Sequence, residues 1–132
     1  MSRWRRRGAV ILLLLGLGSL LWAALLWRGI HFLDQEAVAT LKPRVYVSAL
    51  IGLAQTVAGL AVLTGSKTAV WAALFVTIAH GSLIAARCGV ALTSGQHDPR
   101  RFLGPFTVLA TIATVIIAMC RALKEEGSEP ES

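Results

Sequence analysis

The sequence predicts an all-α fold, a polytopic integral membrane four-helix bundle, and three observations carry that expectation. Of 132 residues 55% are hydrophobic, 12 more are glycine and only 15% are charged, whereas an average soluble domain holds about 45–50% apolar residues with glycine included and about 25% charged. The apolar residues gather into four runs of about 20, each long enough as a helix to cross a hydrocarbon core of roughly 30 Å. None of the runs alternates as barrel strands do, and lipid admits only helices or closed barrels. One transmembrane domain over residues 1–132 is expected. A secreted disulfide scaffold, a disordered tail protein, a nucleotide-binding α/β domain and a soluble DNA binder are excluded by the same composition.

The first span, about 8–27 (GAVILLLLGLGSLLWAALLW), follows Arg3, Arg5, Arg6 and Arg7. A basic start before an apolar run is also how a secretory signal begins, but this run exceeds the usual ~7–15 residues and no A-x-A-like site follows it. It is expected to stay as a span. The connection 28–44 offers Asp34 as an N-cap and Pro43 as a stop, which predicts either a short interfacial helix or a polar loop. The second span, about 45–64, and the third, about 68–88, are separated only by Gly65, Ser66 and Lys67, so they form an antiparallel hairpin. A turn-rich loop from Ser94 to Pro99 leads to the fourth span, about 102–120, and the polar tail 121–132, disordered from Glu125 onward, completes the chain.

The net charge of +6 raises nucleic acid as a partner, but the 13 basic residues flank the spans instead of forming a patch, so no nucleic acid is expected. They read as topology. With the N-terminus inside, seven Lys and Arg flank the inner ends and six the outer ones, and the cluster of four before the first span decides for cytoplasmic termini. The expected setting is the inner membrane of a bacterium. Cys88 and Cys120 fall at opposite faces of the bilayer in this topology and have no metal-ligand spacing, which predicts free thiols and no metal site.

Helices in lipid associate through small residues, because lipid tails already solvate leucine. On the second span Ser48, Gly52, Thr56 and Gly59 share a face with Gln55, which predicts a packing seam and an interhelical hydrogen bond from Gln55. On the fourth, Thr107, Thr111 and Thr114 form a stripe expected to face inward, with hydroxyls able to bond the carbonyl a turn earlier.

His80, near the middle of the third span, is the leading candidate for a functional residue, since an ionisable group at that depth needs a partner. Thr77 stands three residues before it and Arg87 seven after, on nearly the same face. Four roles are open to His80. It can bond a quinone or other head group, ligate haem with another subunit, transfer protons, or pair structurally with Gln55 or a threonine. The ligand-binding candidates are therefore His80, Arg87, Gln55 and Thr77, with no cofactor expected and quinone or haem as the alternatives. All seven acidic residues lie outside the spans, which argues against a proton-coupled exporter of the small multidrug resistance type. No nucleophile–base pair or phosphate loop is present, so no catalytic residue is assigned.

The hairpin from Gly52 to His80, reading GLAQTVAGLAVLTGSKTAVWAALFVTIAH, resembles the DoxX-like group of small bacterial four-helix membrane proteins. The shared pattern is a polar residue before a run rich in small residues and leucine, a glycine turn with a basic residue, and an alanine-rich helix. The likeness covers under a quarter of the chain, and Gln55 stands where the pattern has an acidic residue. It implies a four-helix bundle and an association with quinone or thiol redox systems. Taken together, the chain is expected to be a non-enzymatic accessory or scaffold subunit of a larger inner-membrane complex, a respiratory or redox one among the candidates, with other membrane subunits or copies of itself as partners. The alternatives are a small oligomeric transporter or channel lined by the threonine stripe, His80 and Arg87, and a quinone-linked redox protein of DoxX type.

Overall fold

The computed structural model describes residues 3–95 and 98–128. Its elements are α1 (Arg3–Ile30), α2 (Gln35–Leu63), α3 (Lys67–Thr93), a 3-10 turn (Pro99–Arg101) and α4 (Leu103–Ser128). All four α-helices are long and apolar enough to span, which makes the chain a multi-pass membrane protein. They run up and down in a ring: α1 lies beside α2 and α4, and α3 beside α2 and α4, and among the described residues no Cα atoms come within 8 Å across either diagonal.

Basic residues mark two planes across this ring. Arg7 and Arg28 on α1, Lys67 and Arg87 on α3, and Arg101 and Arg121 around α4 are each 20 or 21 residues apart, about 30 Å at 1.5 Å per residue. Trp4 sits at one plane, with the Arg121 guanidinium 4.5 Å from its ring centre. Near the other, Trp27 packs against His31 and Tyr46. Aromatic rings at both planes are how membrane helices anchor at the interface.

The helices outrun the expected spans, and three expectations on the connections are corrected. Residues 35–44 form neither a separate interfacial helix nor a loop but the first turns of α2, capped by the Asp34 side chain, which accepts from the Ala37 N–H. Pro43 lies inside α2 instead of ending a helix; it is exposed, where water can take the carbonyl its missing N–H leaves free. The tail is ordered further than expected: α4 runs to Ser128 because Glu126 is tied to Arg5 on α1. The rest of the tail, 129–132, lies outside the described residues.

The most extensive interface joins α1 and α2, and small residues set it. Ala9, Gly16 and Ala23 on α1 and Val45, Gly52 and Gly59 on α2 recur every seven residues and all are buried. A Cβ built on Gly16 would lie 2.9 Å from the Gly52 carbonyl oxygen, and one on Gly59 would lie 3.2 Å from that of Ala9. The two backbones therefore nearly touch in antiparallel register, as the small-residue rule requires. The expected seam on α2 is present: Gly52 and Gly59 meet α1, and the Thr56 hydroxyl donates to the Gly52 carbonyl 2.7 Å away.

The threonine stripe on α4 is corrected. Thr107 and Thr114 are exposed and Thr111 half-buried, so the stripe does not point inward. Their hydroxyls donate to the carbonyls of Leu103, Thr107 and Ala110, one turn back, which lets them lie against lipid without an unpaired donor. The inward face of α4 is instead Ile112, Val115, Ala118, Met119 and Ala122.

Candidate functional site

The two ends of the bundle differ, and the difference places the site. At the end holding the start of α1 and the end of α4, a core of Leu12, Val62, Val70, Val115 and Met119 is closed to solvent. Arg5 clamps this end. Its Nε donates to the Val62 carbonyl, Nη2 to the Ser66 carbonyl and Nη1 to the Glu126 carboxylate, each at 2.9 Å, so one side chain joins α1 to α2, to the α2–α3 turn and to α4. The sequence reading gave Arg5 only a topological role.

Toward the other end the helices part around a cavity of about 790 Å³, within the ~300–1,000 Å³ range of small-molecule sites. All four helices wall it. Leu14 and Trp22 come from α1, Ile51 from α2, Leu83 from α3 and Val108 from α4, while Arg87, Arg100 and Arg101 stand at its mouth. Glycine and proline open the space on the α4 side, where Gly104 and Pro105 line it. His80 lies deepest of the polar groups, about 10 Å below Arg87 from seven residues of helical rise.

His80 is 9% exposed, and its Nδ1 accepts a 2.8 Å hydrogen bond from Gln55 Nε2, a side chain with no exposed surface. An acceptor at Nδ1 requires a neutral imidazole with its proton on Nε2. The ring therefore has one nitrogen engaged by α2 and keeps an N–H donor while lining the cavity. Gln55 Oε1 has no hydrogen-bond partner among the described residues. A buried unpaired acceptor costs about 1–3 kcal/mol, and here it accompanies the bond that fixes the imidazole.

Of the ligand-binding candidates, the structure brings His80 and Arg87 to one cavity and sets Gln55 behind His80 as its hydrogen-bond donor. Thr77 is not part of this group. Its hydroxyl donates to the Ala73 carbonyl at 2.6 Å and not to His80, because a buried threonine on a helix satisfies itself one turn back more readily than across three residues. Ser48, one turn from Gly52 on α2, also lines the cavity. Thr107, Thr111 and Thr114 line no part of it, so the threonines and the His80–Arg87 pair do not share a path. Sequence reasoning missed Arg100 and Arg101 as cavity residues. Their signal was their place one turn before Gly104 and Pro105, in the 3-10 turn that leads into α4.

The fold thus defines a multi-pass membrane bundle with a cavity toward one end, walled by all four helices and partly open between them. Comparison of the chain with family models, with curated proteins and with solved structures finds no match.

The Gln55–His80 bond leads to a direct expectation. His80→Gln keeps an acceptor for Gln55, and the variant should melt within about 1 kcal/mol of the parent in detergent. His80→Leu leaves the Gln55 amide with neither end paired and should lose about 2 kcal/mol. Thermal unfolding followed by circular dichroism separates the two; equal melting of both variants would mean that the bond contributes nothing.

Proposed function

We propose that the protein is a non-enzymatic accessory subunit of a larger membrane complex, and that its own contribution is to hold a small molecule within the bundle at one face of the bilayer. The observation that supports this reading is the cavity walled by all four helices, with an arginine mouth and a neutral histidine at depth. Fixed donors on apolar walls bind and orient a ligand without reacting with it. Purification in mild detergent followed by intact mass spectrometry tests it. A defined integral-membrane partner in fixed stoichiometry is expected, with a small molecule retained by the chain; a lone chain that carries nothing refutes the proposal.

Of the two alternatives, a quinone-linked redox protein of DoxX type draws support from the His80 N–H, which suits a quinone carbonyl. A transporter would have to run through the Arg87–His80 cavity without the threonine stripe and past the packed core beneath it.

The proposed setting is a bacterial inner membrane with both termini in the cytoplasm, supported by the arginines in the first turns of α1. Alkaline phosphatase fused after Ser132 should be inactive and the same enzyme inserted near Gln96 active. The reverse pattern overturns the orientation.

A further inference from the structure

The three arginines at the cavity mouth are not needed to close the bundle. Arg87, Arg100 and Arg101 are exposed side chains from two different helical segments, and all three border one opening. The negative groups of this end, Asp34, Glu36 and Asp98, are outside the cavity lining, and Asp98, which accepts from the Arg100 backbone N–H, sets one carboxylate near three arginines. The mouth is therefore positive. Below it come roughly 10 Å of wall that is apolar apart from Ser19, Ser48 and Cys88, and then the His80 N–H, held in place by Gln55. His80 is nine-tenths buried and is the independent sign of a ligand, because a donor fixed at the inner end of an apolar cavity invites an acceptor.

We propose that the cavity binds an anionic amphiphile. Its carboxylate or phosphate head sits on Arg87, Arg100 and Arg101, its apolar body fills the space between Leu14, Ile51 and Leu83, and an oxygen at its far end accepts from His80 Nε2–H. Guanidinium groups suit such heads because their donors match carboxylate and phosphate oxygens in pairs. This deepens the reading of the protein as a ligand-holding subunit and rests on it. The anionic head has two sources, a phospholipid of the surrounding leaflet or a free amphiphile.

The test uses the full chain in nanodiscs of phosphatidylcholine, with decanoate, 10-hydroxydecanoate and 1-decanol as probes and native mass spectrometry as the readout. Decanoate should bind on the order of tenfold more tightly than decanol, and Arg100→Gln with Arg101→Gln should erase that margin while leaving decanol binding unchanged. The terminal hydroxyl of 10-hydroxydecanoate should strengthen binding to the parent and not to His80→Leu. Nanodiscs containing phosphatidylglycerol assign the source: displacement of decanoate by that lipid supports a resident lipid head, and undiminished decanoate binding supports a free amphiphile. Equal binding of decanoate and decanol, or a double arginine variant that keeps the margin, overturns the anionic ligand while leaving a binding cavity in place. Binding of none of the probes, with the parent folded, overturns both the cavity's role and this proposal.

Discussion

Arg5→Ala should lower the stability of the bundle by about 3 kcal/mol, the scale on which removing one partner of a buried ion pair acts. The side chain is 6% exposed and its Glu126 partner 15%, so neither charge has enough water to compensate when the other is lost. The truncation also takes the donor from the Val62 and Ser66 carbonyls and unties three helices at one point. Arg6→Ala, one residue away and exposed, should stay within about 0.5 kcal/mol. Arg5→Lys should fall between, since an ammonium keeps the charge without the fork that reaches three acceptors. Thermal unfolding in detergent micelles measures all three, and equal losses for Arg5→Ala and Arg6→Ala would falsify the clamp.

Gly16→Leu should prevent assembly, and even Gly16→Ala should cost about 1–3 kcal/mol through overpacking. A methyl group at Gly16 meets Thr56 Oγ1 at 2.6 Å, Thr56 N at 2.8 Å and the Gly52 carbonyl oxygen at 2.9 Å. Two of those three atoms are backbone and retreat only if α2 moves as a whole. Gly18, two residues on, has nothing within 4 Å of its added Cβ, so Gly18→Ala should be neutral or stabilise by up to about 1 kcal/mol through helix propensity. The pair isolates contact from composition, because the same substitution is made in the same helix. Monodisperse, normally melting Gly16→Ala protein would show that the backbones are not held in contact.

What the sequence could and could not convey follows from the range of each interaction. Span number and the α2 seam were legible because hydrophobic length and small-residue spacing are local properties of one helix. Gln55 and His80 were legible as a candidate pair because a buried polar group must find a partner in lipid. The inward face of α4 was misjudged: threonine that bonds its own helix is compatible with lipid, so a polar stripe does not identify the buried side. Gly16 was overlooked beside Gly18, since only the register with α2 distinguishes a glycine in contact from one in open space. Arg5, Arg100 and Arg101 carried a topological signal that hid their separate duties, one within a three-helix clamp and two at a cavity mouth.

The ring order of the helices also bears on how the protein is made. Synthesis releases α1 and α2 first, and they share the most extensive interface, so the hairpin can form while the rest of the chain is still unmade. With α3 added, the three helices form a trough, because the α1 and α3 backbones stay more than 8 Å apart. Only α4, emerging last, bridges them and brings Arg100 and Arg101 over the opening. Until then the trough lies open sideways to the bilayer. The α1–α2 hairpin therefore has its partner before α3 and α4 exist, whereas the cavity has all its walls only once α4 is in place.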